Sequence, residues 1–300
     1  MRILKSTVEE FLDDDCPRMA AAMSYYTVFS LPALLIVVLL IAGVFADPAD
    51  IQGRLLRQMQ AVIGPGAAEQ VRAILRNVAR PGSGGALTVT LSVVALLFAA
   101  TGAFAQLQAT LNRAWEVAPD PDRGGIRNFL IKRLLSFAMI LGVALVLLAS
   151  LVAQTALTAF GDFLDAQLPD PWSSLALHAI SAGLSLGVAA VLFATLFFVV
   201  PDARVRWRDA WLGAAATAVL FLVGNLLLGL YLARSDPGSA FGAAGSLALI
   251  LVWIYYSSMI FFLGAELTQV LARRRGEPIR PSKGAVRVVT ERRTIREETT

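Results

Sequence analysis

Glu266 stands in a long apolar run, LILVWIYYSSMIFFLGAELTQVL, where a carboxylate has few ready partners. An ionisable group in such a run is costly unless it is paired or faces water, so Glu266 is a candidate proton or cation site. The plainer alternative is a snorkelled or paired carboxylate, with Arg273 within two turns. Asn225 lies midway along a second apolar run and shares a helical stripe with Ala214, Ala218 and Gly229. That stripe reads either as a packing face joined by one interhelical hydrogen bond or as the wall of a cavity. Gln106, Gln108, Asn112 and Glu116 continue along a third segment and can line a vestibule at the same end as Glu266. Asn225, Glu266, Gln106 and Asn112 together outline a transport path.

Other chemistry finds little support in the residues. The chain has one cysteine, Cys16, and one histidine, His178, which leaves no disulfide, no Cys-based zinc site and no His cluster. Asp162, Asp165 and Asp170 offer oxygen ligands to a weak cation site at most. No Ser–His–Asp set or paired carboxylates share a setting. The Gly82-Ser83-Gly84-Gly85 stretch lacks the Gly-Lys-Ser/Thr ending of a phosphate-binding loop and reads as a turn. No catalytic residue, metal or cofactor is assigned, and the chain is not expected to be an enzyme.

The segments that hold these residues decide the fold class. The 300 residues are 57% hydrophobic and 16% charged, with a mean hydropathy of +0.66. That is too apolar for an ordinary soluble domain. The apolar residues gather in runs of about 20 or more, the length of a helix that crosses hydrocarbon. Lipid cannot satisfy exposed backbone groups, so these runs must be helical. Short alternating segments, the mark of a membrane barrel, are missing.

In chain order, residues 1–19 predict a short amphipathic helix, with Ser6 and Thr7 at capping-box spacing to Glu9 and Glu10. It lies either at the membrane interface or in solvent as a lead-in. Spans are predicted at about 20–45, 86–107, 134–157, 175–200, 210–232 and 245–271. Residues 46–85 predict two short amphipathic helices around Gly64-Pro65-Gly66. The helix of the second span is expected to continue through QATLNRAWEV. Gly183 and Gly187 have the spacing of a close helix contact. The polar, basic tail over 272–300 is expected to be disordered. With both termini inside, 20 Lys and Arg residues fall on the cytoplasmic side and 6 outside, which sets the orientation. The expected architecture is all-α: a polytopic membrane protein with six transmembrane helices, an N-terminal interfacial helix and a helical external segment.

Several motifs carry a family resemblance. They are AAAMSYYTVFSLPALL near the N-terminus, the Asn-Arg-x-Trp step at Asn112–Trp115, the Pro201 turn, the Trp211–Gly213 entry and Tyr231. The Gly242–Gly245 segment, the WIYYSS run and the Gly264-Ala265-Glu266 triplet complete the set. In these the chain resembles the YihY/BrkB family of bacterial inner-membrane proteins, some once labelled ribonuclease BN. The resemblance implies a multi-pass protein of the bacterial cytoplasmic membrane. The ribonuclease label finds no support, because metal-dependent RNA hydrolysis needs a ligand cluster. Basic residues flanking the spans suit anionic lipid better than nucleic acid, since no aromatics interleave with them. The expected function is transport, or flipping, of a lipid-like or amphipathic solute. The alternative is a non-enzymatic scaffold for cell-envelope proteins. Membrane lipids and other envelope proteins are the expected partners, without nucleic acid.

Overall fold

The computed structural model describes residues 2–42, 102–121, 171–235 and 245–289, with isolated helical positions at 53, 56, 72 and 142. The expected spans at 86–107 and 134–157 and the segment over 46–85 lie mostly outside the described residues. The described helices are α1 (Arg2–Asp13), α2 (Cys16–Ala42), α3 (102–114), α4 (Pro171–Val199), α5 (Trp207–Ser235) and α6 (Gly245–Arg274). Four short strands accompany them: β1 (Val117–Pro119), β2 (Ala203–Arg204), β3 (Arg280–Pro281) and β4 (Ala285–Arg287).

Among the described residues, three helices are long and apolar enough to cross a membrane, through Ala182–Val199, Trp207–Leu230 and Leu247–Arg274. The shortest of these, at 18 residues, covers about 27 Å of hydrocarbon at the helical rise. Leu222, Leu226 and Leu230 of α5 remain exposed at four-residue spacing, an apolar face turned outward as lipid requires. The expected first span overlaps α2, which starts at Cys16.

The N-terminal helix differs from the sequence expectation. Ser6 and Thr7 are one turn inside α1, and their hydroxyls donate to the carbonyls of Arg2 and Ile3 instead of capping the helix. The chain then breaks at Asp14-Asp15, where Asp15 takes a φ of 56°. The Asp15 carboxylate accepts from Arg18 at 2.8 Å and from Arg113 at 3.2 Å, which holds the corner. Helix α1 buries Thr7 and Phe11 and packs on α2 and α6. Its other apolar residues, Leu4, Val8 and Leu12, are exposed.

Helix α3 also ends earlier than expected. Glu116 adopts a φ of 53°, which breaks the helical course and feeds Val117 into β1.

The tail requires a correction. Disorder is expected over 272–300, but α6 runs on to Arg274 and the chain stays folded to residue 289. Gly276, at φ 73°, closes α6: its amide bonds the Arg273 carbonyl, and the Glu277 amide reaches that of Ala272. This is a Schellman closure, which needs a left-handed residue. Strand β3 then pairs antiparallel with β2, and β4 with β1. A polar composition signals no core, but two-residue and three-residue ladders to distant partners order the segment.

Among the described residues, the larger buried cluster lies at this strand-bearing end. Phe11, Cys16 and Ala20 meet Leu111 and Trp115 of the α3 end, Phe197 of α4, Ala210 and Ala214 of α5, and Phe262 and Ala265 of α6. Trp115 stands edge-on to Phe197, with ring centroids 6.2 Å apart. Phe197 in turn leans on Phe261 at 4.9 Å. Helices α5 and α6 approach through a reciprocal exchange. A Cβ on Gly213 would strike the Thr268 hydroxyl, and one on Gly264 would strike that of Thr217. Each threonine donates to the glycine carbonyl four residues back on its own helix, at 2.7 Å for Thr217 and 2.8 Å for Thr268. The close crossing therefore leaves neither threonine hydroxyl unsatisfied.

Candidate functional site

Glu266 is completely buried. Gly264 brings α5 close two residues earlier in the chain, and the Trp115 indole donates to the Ala265 carbonyl at 3.2 Å. Cys16, at the start of α2, is the one donor to Glu266 among the described residues: its thiol is 3.6 Å from Oε1. Glu266 Oε2 has no hydrogen-bond partner among the described residues, and neither does Gln269 Oε1, one turn on. Two acceptors therefore stand close in sequence inside the bundle without donors among the described residues. A buried acceptor left unmet costs about 1–3 kcal/mol. Such a pair is suited to receive a proton, a cation or the polar group of a solute.

Arg273 does not pair with this carboxylate. It donates to Glu10 at 2.7 Å and to Glu116 at 2.8 Å. Glu116 also accepts from Arg287 of β4 at 3.0 Å. Glu10, Arg273, Glu116 and Arg287 thus tie α1, α6, the α3 exit and the tail into one charged lattice. Arg275 pairs with Asp209 in the same layer. Asp14, at the α1–α2 corner, has its carboxyl pushed up to about 6, first by burial and then by Glu10, with Arg113 acting in the opposite sense.

Of the other sequence candidates, Asn112 is buried and joined to Asp202 in two ways. Its amide nitrogen donates to Asp202 Oδ2 at 3.0 Å, and its oxygen accepts from the Asp202 backbone amide at 2.8 Å. It locks α3 to the turn between α4 and α5. Gln108, Asn112 and Glu116 line a groove of about 610 Å³ together with Asp202 and Val288. Gln106 lies on α3 outside that lining, its amide 3.4 Å from Thr110 Oγ1. Asn225 is half-buried on α5. Its neighbour Gly224, not Gly229, makes the close approach to Tyr256 and Ile260 of α6. By these contacts Asn225 is level with Tyr256 and Ile260, whereas Glu266 is level with Gly213 and Thr217. Eight or more residues along α5 separate the two levels, roughly 12 Å of helix. The described residues therefore group Glu266 with Cys16 and Gln269, and Asn112 with Asp202. Gly183 and Gly187 meet no described neighbour.

Gln269 could have been found from its i+3 spacing to Glu266. Cys16 and Asp202 carried no such signal, since their partners are 250 and 90 positions away.

The family model for Virulence factor BrkB matches residues 7–288, which takes in every motif of the resemblance. The chain belongs to the BrkB family. It is 29% identical over 275 residues to a UPF0761 membrane protein of Azotobacter vinelandii, covering 89% of this chain and 62% of that relative. A UPF0761 membrane protein of Alkalilimnicola ehrlichii is likewise 29% identical, over 88% of this chain and 57% of its own length. One of Pseudomonas aeruginosa is 30% identical over 300 residues, 95% of this chain and 68% of that protein. The chain spans about three-fifths of the length of the first two relatives. No solved structure matches it. As a BrkB-family chain with apolar crossing helices, it is a membrane protein.

Proposed function

We propose that this BrkB-family protein moves a lipid-like or amphipathic solute across, or between the leaflets of, the bacterial inner membrane. The proposed bundle has six spans with both termini in the cytoplasm, an orientation supported by the Lys and Arg asymmetry. The observation that carries the reading is an oxygen of Glu266 with no hydrogen-bond partner among the described residues, buried where six helices converge. An ionisable group within a crossing helix is by default a candidate for a solute or proton route. Asn225, about 12 Å further along α5, offers a second polar position on the same helix pair. The test is reconstitution of the purified chain with fluorescent phospholipids and measurement of leaflet exchange. Exchange above that of empty liposomes, reduced by Asn225→Ala, supports the route. No exchange across several lipids, from folded and inserted protein, would refute it.

A second reading, a non-enzymatic scaffold for envelope proteins, is favoured by Asn112. Both ends of its amide are committed to Asp202, so it serves the fold and not a solute. Under that reading the groove beside it holds a segment of a partner protein, and Glu266→Gln leaves lipid movement at the level of empty liposomes in both chains.

A further inference from the structure

Arg204 and Arg280 are direct partners across the β2–β3 ladder. Like charges facing each other across antiparallel strands repel. Neither guanidinium has a hydrogen-bond or ion-pair partner among the described residues. Both line a cleft of about 460 Å³ between the start of α5 and the end of α6. The two carboxylates of that cleft are already engaged, Glu277 by Arg206 and Asp209 by Arg275. Two uncompensated positive charges therefore share one concave surface. An anion between them would turn a repulsive pair into a clamp, and a guanidinium fork matches phosphate oxygens.

The location narrows the anion. Arg204 is three residues before the crossing segment Trp207–Leu230, and Arg280 is six residues after the one that ends at Arg274. The cleft is thus at the boundary where two crossing helices leave the membrane. Trp207 is stacked on Phe198 with ring centroids 4.3 Å apart and is still half exposed. Trp211, one turn on, is exposed as well. Tryptophans in this position sit at the level of lipid headgroups.

We propose that the cleft binds the phosphate of an anionic phospholipid headgroup, held between Arg204 and Arg280 with Trp207 and Trp211 beside the lipid. The site is separate from Glu266 and stands whether or not the protein moves lipid. The shared chemistry is a phosphate anion, which free phosphate could also supply, and the test separates the two sources. The full chain in neutral detergent is heated with increasing short-chain phosphatidylglycerol, phosphatidylcholine or inorganic phosphate, and the unfolding midpoint is followed. A ligand that binds only the folded protein raises that midpoint. Phosphatidylglycerol is expected to raise it saturably, well beyond phosphatidylcholine. The double substitution Arg204→Gln with Arg280→Gln should weaken this response by roughly tenfold or more. Arg208→Gln, an exposed arginine outside the cleft lining, should leave it unchanged. A saturable response to inorganic phosphate alone, lost in the double variant, would keep the phosphate clamp and overturn the lipid as its source. An equal phosphatidylglycerol response in the double variant, or equal responses to both lipids, would overturn the site. If the double variant fails to fold, Arg280→Glu decides the matter. It replaces the repulsion with an ion pair to Arg204, so the basal midpoint should hold or rise while the lipid response disappears; a retained response refutes the clamp.

Discussion

The thiol of Cys16 is 3.6 Å from Glu266 Oε1, a contact that ties the first turn of α2 to the last third of α6 across 250 positions of sequence. Both residues are sealed from solvent, and Cys16 is the sole cysteine of the chain. The thiol is therefore a natural reporter on access to the Glu266 oxygens.

Maleimide labelling of Cys16 should be very slow in the folded protein and complete once the chain is denatured, as read by mass. Glu266→Ala removes the side chain that fills this space and should speed labelling by roughly tenfold, equivalent to about 1.4 kcal/mol easier opening. Fast labelling of the native chain would show that Cys16 is not enclosed as described.

The α5–α6 crossing rests on Gly213 against Thr268 and Gly264 against Thr217. Gly213→Ala or Gly264→Ala forces a methyl into an occupied position and should cost on the order of 1–3 kcal/mol. The unfolding midpoint in detergent should fall by several degrees. Thr268→Ala, which shortens the opposing side chain, should recover part of the loss in Gly213→Ala but none in Gly264→Ala. Equal recovery in both would show that the exchange is not pairwise.

The indole of Trp115 donates to the Ala265 carbonyl, in the residue beside Glu266. Trp115→Phe keeps the ring in the core and deletes that donor, so it should destabilise by about 1–3 kcal/mol. Trp211→Phe, at an exposed ring, should change the midpoint little. Thermal unfolding of the two variants side by side checks the difference.

The expectation for Asp14 is a pH dependence. Its carboxyl ordinarily titrates near 3.8, and burial first, then Glu10, pushes it up to about 6 in the folded protein. Between these values the folded state holds more protons than the unfolded state, so Asp14 makes stability fall as pH rises through that window. Asp14→Asn should therefore unfold at the same temperature as the native chain near pH 4 and at a higher one near pH 7. The opposite ordering at pH 7 would mean that the carboxylate is stabilised at the corner.

The parts legible in the sequence were those written as long apolar runs. Helices α4, α5 and α6 follow such runs, and Glu266 stood out because a carboxylate in one is rare. What could not be read were features created by distant partners. Asp15 turns left-handed where Arg18 and Arg113 hold its carboxylate, and no local pattern announces Arg113. Asn112 lines a groove, as its polar helical face suggests, but nothing local announces Asp202, which occupies its amide. The tail reads as disordered because it has no apolar run, and the described residues of it end at 289. Its order comes from pairing with β1 and β2 and from Arg287 bound to Glu116.

The central claim is that Glu266 belongs to a solute route, and one measurement addresses it most directly. Leaflet exchange of a fluorescent phospholipid would be compared in liposomes holding equal amounts of inserted native chain and Glu266→Gln, with equal unfolding midpoints shown beforehand. The substitution keeps the shape of the side chain and removes its capacity to take up a proton or balance a cation. The account predicts exchange well above empty liposomes for the native chain and a return to the empty level for Glu266→Gln. Exchange at the native rate in Glu266→Gln would contradict it.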